Sequence, residues 1–181
     1  IPEHFIESIE IRDARYMGRG KRPASLPLNP YFNALIGGRG TGKSTVIHAL
    51  RLAYRREKEL SPTSEAGQTF NHFNKVAKNR NDEGGLRAET VIQVQVHRDG
   101  TPYRLIWRQD GQGHVVEEWD VATASFKPSA SQAITDQRFP LRLFSQGQIA
   151  ALAGGSQQAL LKGIDDAAGT RSQQGAFEEA K

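Results

Sequence analysis

The spacing of apolar residues along the chain predicts an α/β fold with an antiparallel meander. Apolar and polar positions alternate over residues 92–97 and again over 103–108, the period of half-buried strands. Asp99-Gly100 lies between them, and this dipeptide favours a tight hairpin turn because glycine adopts positive φ without a clash. A third strand is expected over 115–119, which completes the meander.

A different pattern between residues 31 and 62 predicts a buried strand followed by a helix. Residues 31–36 form a short apolar run that ends in two glycines, as expected of a buried strand entering a tight turn. The helix after it has one apolar stripe, formed by Val46, Ile47, Leu50 and Tyr54. Its polar side carries Arg51, Arg55 and Lys58, and it is expected to end near Ser61-Pro62.

The other expected elements flank these two regions. They are, in chain order, a partly alternating strand over 5–11, a basic loop over 12–22, a surface excursion over 61–86 with a short helix at 70–77, a short helix before Gln137, a strand over 141–144 and a helix from about 149.

Composition restricts the class of protein. With 181 residues, 37% of them hydrophobic and 24% charged, the chain suits one globular domain or one large lobe. It has no cysteine, which excludes disulfides and thiolate metal sites, and no apolar run of membrane-spanning length. A cytoplasmic location fits best. The net charge of +4 permits a nucleic-acid partner without requiring one. A start at Ile1 suggests a piece of a longer protein.

The strongest chemical signal is a P-loop. Residues 37–44 match G-x-x-x-x-G-K-[ST] at every fixed position, between the expected strand and the expected helix. Glycines let main-chain N–H groups surround phosphates, and the helix start adds partial positive charge. Lys43 would reach the β- and γ-phosphates of ATP, and Ser44 would offer its hydroxyl to Mg²⁺. The predicted cofactor site comprises Gly38, Arg39, Gly40, Thr41, Gly42, Lys43, Ser44 and Thr45. The alternative is a glycine-rich turn that only caps a helix.

A complete catalytic set is not recognisable from spacing. Phosphoryl transfer to water also needs a group that orients the water and a further carboxylate near the metal. Asp165 and Asp166 follow an interrupted apolar run, so they are interpreted as solvated helix residues. The histidines show no ligand spacing and are assigned to surface or packing roles.

The order of these motifs resembles the N-terminal lobe of the ABC-type heads of structural-maintenance-of-chromosomes (SMC) proteins and their recombinational-repair relatives. The resemblance runs from about Ile6 to Leu152. Besides the P-loop, three segments carry it: residues 9–15 resemble the opening strand and its N-F-R motif, 97–104 the lobe hairpin, and 144–149 the Q-loop. It implies a P-loop NTPase lobe with a mixed sheet over residues 1–152. Residues 153–181 are then a helical segment leading toward a coiled coil or a missing C-terminal lobe.

The resemblance also assigns roles to two residues. Gln146 would contact Mg²⁺ and the attacking water, with Gln148 as a second candidate, and Arg15 would approach the nucleotide phosphates. The alternative for Gln146 is a loop glutamine that faces solvent, and the alternative for Arg15 is a solvated loop arginine. Ala14 stands where the family has an aromatic residue. Arg39 stands where the family commonly has asparagine. This version of the P-loop is more similar to that of ATPases joined to PHP-type phosphoesterase domains.

The resemblance implies an incomplete head. The ABC signature, the Walker B aspartate and the catalytic glutamate of the family are not present, so ATPase activity would require a C-terminal lobe. Expected partners are that lobe, a second head in a homodimer, DNA, and a nuclease or phosphoesterase domain. ATP-driven head engagement would serve DNA repair, chromosome maintenance or defence against foreign DNA such as phage DNA.

Two basic clusters add modest support for DNA. They are Arg19, Lys21 and Arg22 in the first loop, and Lys75, Lys78 and Arg80 in the excursion. Solvated faces are the alternative interpretation. Two rival functions stay open as well: a self-contained P-loop nucleotide kinase or GTPase, although no N-K-x-D motif is visible, and a non-hydrolysing module that docks a partner when ATP is bound.

Overall fold

Six antiparallel strands form the framework of the described chain. The computed structural model describes residues 1–20, 22–110, 114–144 and 148. The strands pair in the order β2-β1-β3-β4-β5-β6. Their bounds are β1 His4–Arg12, β2 Ala24–Pro27, β3 Val91–Arg98, β4 Thr101–Arg108, β5 His114–Asp120 and β6 Ser125–Pro128. The helices are α1 Lys43–Ala53 and α2 Glu65–Phe73, with a 3₁₀ turn at Glu57–Glu59.

The predicted meander is confirmed. β3 and β4 pair in register from Val91↔Arg108 to Arg98↔Thr101, and β5 continues the antiparallel order. At the hairpin turn Asp99 and Gly100 have φ values of 50° and 79°. Positive φ at both central residues matches the right-handed twist of the strands, which explains why Asp-Gly occurs there.

Alternation along the strands produces the core. Ile9, Val94, Leu105 and Val116 are cross-strand neighbours on one face of the sheet. All four are at most 1% exposed. α1 contacts β1, β3 and β4. A fully buried aliphatic side chain contributes about 1.5–3 kcal/mol, so this row is a main source of stability.

The expectation of a mixed sheet is wrong for the described strands, which are all antiparallel. The strand expected over 31–36 is also absent, and Tyr31, Phe32 and Ile36 are 72%, 81% and 94% exposed. Residues 141–144 form no strand either. A strand needs a neighbour to satisfy its N–H and C=O groups, and the described sheet pairs neither segment.

Helix α1 ends earlier than expected. Arg55 adopts a left-handed φ of 55° just after the helix. The Arg56 N–H donates to the Arg51 carbonyl at 2.8 Å and the Arg55 N–H to the Leu52 carbonyl at 3.0 Å. This pair of bonds is a Schellman motif with arginine in the place usually taken by glycine. The motif stops α1 at Ala53, well before Ser61-Pro62.

Two other expectations about short helices are corrected, and one strand is additional to those expected. α2 spans Glu65–Phe73 instead of 70–77, because the Ser64 hydroxyl accepts a hydrogen bond from the Gly67 N–H at 3.0 Å and caps the helix there. The polar segment over 120–137, which the structure describes throughout, contains no helix, and part of it forms β6, which pairs with β5. β2 was not expected at all. β2 and β6 are four-residue edge strands that end in proline, which leaves little alternation to detect.

The chain divides into two compact units, Ile1–Leu141 and Arg142–Lys181. All the strands and helices named above belong to the first unit. The predicted boundary at residue 152 and the predicted helical segment 153–181 lie outside the described residues. No helix in the described part of the chain is long and apolar enough to cross a membrane.

Candidate functional site: a phosphate-binding loop

The glycine-rich loop before α1 has a backbone that other residues adopt only with strain. Gly40 and Gly42 have φ values of 81° and 88°, in the left-handed region. Gly42 is also the N-cap of α1. A Cβ atom on Gly42 would lie 2.7 Å from the Met17 Cε atom. Glycine is therefore favoured at Gly42 by its left-handed conformation, and a Cβ there would also displace the flexible end of the Met17 side chain.

Lys43 lies against this loop. Its Nζ atom donates to the carbonyl oxygens of Gly37 and Gly38, both at 2.6 Å. The Thr41 hydroxyl donates to the same Gly38 oxygen at 2.9 Å. These contacts are exposed to solvent, so a phosphate oxygen can replace the carbonyl oxygens as the partner of the ammonium group.

The start of α1 suits an anion. No side chain caps it, and its first turn carries no acidic residue. The whole segment 31–56 contains no Asp or Glu. Free N–H groups at a helix start carry partial positive charge and favour phosphate. Ser44 is exposed in this first turn and Thr45 is half-buried, so the Ser44 hydroxyl is accessible to a metal ion. The predicted residues from Gly38 to Thr45 therefore lie together and fit a metal-bound polyphosphate.

The Arg15 side chain is engaged with main-chain carbonyl groups. Its guanidinium donates to the carbonyl oxygens of Arg80 at 2.7 Å and Gly84 at 3.1 Å, and also to that of Asp82. The Arg15 main-chain N–H donates to the Gly85 carbonyl at 2.9 Å. We call residues 75–86 the insert. Arg15 thus fastens the insert to the loop that follows β1.

The loop that carries Arg15 also contacts the P-loop. Met17 belongs to it, and its Cε atom closes on Gly42 as described above. Inside the loop the Asp13 N–H donates to the Gly18 carbonyl at 2.7 Å, with Gly18 at a φ of 65°. Sequence reasoning missed Met17, the one methionine of the chain, because its role is a contact that no local pattern encodes.

Behind the loop, α1 buries two polar side chains. Arg51 is 1% exposed, although the sequence placed it on the polar side of the helix. One of its nitrogens donates to the Arg56 carbonyl at 3.1 Å and lies 3.8 Å from Glu59. Burial lowers the pKa of His48 to about 4, with the nearby Arg51 charge as the second cause. Both residues therefore pack in the core, and neither faces the phosphate loop as a catalytic group.

The other candidates are two glutamines and one cluster of possible metal ligands. Gln146 lies outside the described residues, whereas Gln148 is helical and half-buried. One group of possible metal ligands, missed by sequence spacing, brings side-chain atoms of Glu3, His4 and Asp99 within 4.8 Å of one another. All three are exposed, and the Arg98 Nε atom lies 3.2 Å from the Asp99 carboxylate. The arginine already neutralises this carboxylate, and we assign no metal to the group.

The chain has a distant structural likeness to an SMC ATPase. No protein-family model and no curated protein matches it. A solved structure described as "Structural biochemistry of ATP-driven dimerization and DNA stimulated activation of SMC ATPases" is similar at 18% sequence identity and a TM-score of 0.43. The match covers 90% of this chain and 98% of that one. A likeness at this level identifies neither a family nor an activity.

Proposed function

We propose that this chain binds Mg-ATP and forms the nucleotide-binding half of an SMC-like ATPase head. One observation carries the proposal: a left-handed glycine loop, with Gly40 and Gly42 at φ values of 81° and 88°, opens onto a helix start that has no acidic side chain. Lys43 places its ammonium group at this loop. Main-chain N–H groups, a helix start and a lysine together bind the triphosphate of a nucleotide.

Each residue of the loop has a defined task in this proposal. Lys43 leaves the carbonyl oxygens of Gly37 and Gly38 for the β- and γ-phosphates. The Ser44 hydroxyl holds Mg²⁺, which when bound neutralises charge between those phosphates. Arg39, Thr41 and Thr45 surround the phosphates with further polar groups.

Two residues outside the loop complete the proposed site. Arg15 exchanges its carbonyl partners for phosphate oxygens, which charge-assisted hydrogen bonding favours. Gln146 orients the attacking water and contacts the metal through its side-chain amide, whose oxygen accepts hydrogen bonds and whose nitrogen donates them. Both roles come from the resemblance to ABC-type heads.

The absence of acidic groups at the loop supports an incomplete head. Residues 31–56 supply no carboxylate, and phosphoryl transfer to water needs one near the metal or the water. A second lobe would supply it. The exposed apolar side chains of Tyr31, Phe32 and Ile36 are a suitable surface for that lobe, because large apolar groups gain free energy when they leave water.

The wider proposal concerns assembly. Two heads engage around two ATP molecules, in a homodimer, and hydrolysis releases them. Head engagement then acts on DNA in repair, chromosome maintenance or defence against foreign DNA, in the cytoplasm. A nuclease or phosphoesterase domain is the proposed effector.

Nucleotide binding is the first test. The intact chain is expected to bind Mg-ATP in calorimetry, and Lys43→Ala is expected to weaken binding at least about tenfold, because a charge-assisted contact contributes about 1.5–3 kcal/mol. Lys58→Ala removes one exposed positive charge away from the loop and serves as the matched control. Equal affinities of the Lys43→Ala variant and the unmodified chain, with both folded by circular dichroism, would refute the proposal.

Turnover separates the half-head from a self-contained P-loop kinase or GTPase. We expect the chain alone to bind Mg-ATP with negligible phosphate release. Brisk hydrolysis, or transfer of the γ-phosphate to a small acceptor, would favour a self-contained P-loop enzyme. Preference for GTP over ATP in a competition measurement would favour a GTPase.

A further inference from the structure

Two basic segments that are far apart in the sequence form one surface. Residues 12–22 carry five basic side chains against one acidic, and residues 75–87 carry four against two. The Arg15 guanidinium donates to the main-chain carbonyl of Arg80, and the Arg19 Nε atom donates to the Arg15 carbonyl at 2.5 Å. Ala24 pairs with Ile11, which brings the chain after Arg22 back to the same end of the sheet.

The acidic residues of the insert are already engaged. The Asp82 carboxylate accepts the main-chain N–H groups of Lys78 and Asn79, at 2.9 and 2.8 Å. These bonds hold the pKa of Asp82 below its usual value. Glu83 pairs with Lys75 at 2.9 Å. Among the described residues, Asp82 forms no ion pair with a cationic side chain of the surface, and Glu83 pairs with Lys75.

Four cations on this surface stay available. Arg19, Arg22, Lys78 and Arg80 are exposed, and none forms an ion pair with an acidic side chain of the described residues. Surface ion pairs are common elsewhere on the sheet, for example between Lys127 and Asp120. Unpaired cations at one site attract phosphates, and binding then releases counterions.

An aromatic ring lies within the same loop. Tyr16 is 70% exposed, and its ring centroid is 5.0 Å from the Arg15 guanidinium carbon. Exposed aromatic rings beside unpaired cations bind single-stranded nucleic acid, because an unpaired base stacks on the ring while phosphates meet the cations. A duplex keeps its bases stacked on one another and gains nothing from such a ring.

We propose that the loop-pair surface, formed by Tyr16, Arg19, Arg22, Lys78 and Arg80, binds single-stranded nucleic acid. Tyr16 stacks on one base and the four cations contact phosphates. This inference deepens the proposed function by naming the form of nucleic acid, and it needs no bound ATP. Its failure is therefore distinguishable from failure of the nucleotide site.

The test uses the full chain and a fluorescein-labelled oligothymidylate of about 20 nucleotides in fluorescence anisotropy. A duplex and a single-stranded RNA of equal length are the comparison probes. Lys78→Ala/Arg80→Ala removes two cations but keeps the Arg80 carbonyl that accepts from Arg15. We expect it to weaken binding at least about tenfold at low salt and to reduce the salt dependence. Lys58→Ala/Lys127→Ala removes two exposed cations outside this surface, one in the 3₁₀ turn after α1 and one on β6, and is expected to retain affinity.

The tyrosine has its own test. Tyr16→Ala is expected to weaken binding of the single strand at least about fivefold, whereas Tyr16→Phe retains it, because stacking needs only the ring. Lys43→Ala is expected to bind the oligonucleotide normally. The proposal is overturned if no probe binds at low salt, if both double variants lose affinity equally, or if the duplex binds more tightly and Tyr16→Ala has no effect. DNA and RNA arms identify the sugar without altering the conclusion.

Discussion

His48 lies in the middle of α1 with 7% of its surface exposed. Its ring centroid is 4.9 Å from that of Phe73 and 5.6 Å from that of Phe70. The Nδ1 atom has no hydrogen-bond partner among the described residues. An imidazole surrounded in this way by apolar rings and one arginine is stable only in its neutral form.

The free energy of unfolding should therefore depend on pH through His48. The folded-state pKa of about 4 lies below the ordinary value of 6.5, so the unfolded chain takes up the proton first as pH falls. Stability is complete above the ordinary value and is lost as pH decreases from there toward the folded pKa. Between about pH 7 and pH 5 the loss from this group is about 2 kcal/mol. Urea unfolding at both pH values, for the unmodified chain and His48→Gln, measures it.

The control for this prediction is His72→Gln, which changes an exposed histidine. That variant is expected to keep the pH dependence of the unmodified chain, whereas His48→Gln should lose most of it. An unchanged pH dependence in His48→Gln would show that the imidazole is accessible to protons in the folded protein.

At the scale of elements, the end of α1 offers a second prediction. Arg55 has a φ of 55°, which costs a residue with a Cβ about 1–2 kcal/mol. Arg55→Gly removes that cost and adds some entropy to the unfolded chain, so we expect a gain in stability of up to about 1 kcal/mol. Thermal unfolding followed by circular dichroism measures the change.

A matched variant separates the contribution of the backbone conformation to stability from that of the arginine side chain. Arg55→Ala also removes the guanidinium but keeps the Cβ, so it should give no gain. If alanine stabilised the protein as much as glycine, the effect would come from losing the arginine charge near Arg51 and Arg56, and the Schellman explanation would be wrong.

The elements differ in how far the sequence could predict them. β3 and β4 were predicted because the alternation over 92–97 and 103–108 is a local signal, and a one-residue shift would expose Val94 and Leu105. The end of α1 was not predicted, because nothing in the sequence distinguishes an arginine that adopts a left-handed φ from any other arginine. The burial of Arg51 depends on the segment after the helix folding back, with Arg56 and Glu59 as its partners.

The candidate site was predictable to a similar degree. The loop from Gly38 to Thr45 follows from the motif, since the conformation is encoded by glycine itself. The contacts of Arg15 with the insert join residues 65 to 69 positions apart, which no local pattern reveals. Tertiary pairing, and not propensity, decides such contacts.

At the scale of the whole molecule, the apolar segment over 31–36 is the main departure from expectation. Its apolar run resembles a buried strand, yet burial depends on neighbours that the described residues do not supply. Phe32 and Ile36 are 81% and 94% exposed. An apolar surface of this kind binds hydrophobic dyes and other chains.

We expect Phe32→Ser/Ile36→Ser to reduce binding of the dye ANS and self-association in sedimentation. The free energy of unfolding should stay within about 0.5 kcal/mol of the unmodified value, because neither side chain is packed. The control is Ile92→Ser, which alters a residue 1% exposed and is expected to be strongly destabilising. A large loss of stability in the double variant would mean that the segment is covered in solution.

The large sequence separation between Arg15 and its partners in the insert affects the order of folding. Closing a loop of 65 to 69 residues costs chain entropy, so these contacts form after the local hairpin of β3 and β4. The same contacts should open first when the protein is stressed. The insert would then be the first segment that a protease cleaves. Its cleavage rate would measure how often the hydrogen bonds of Arg15 to the insert are broken.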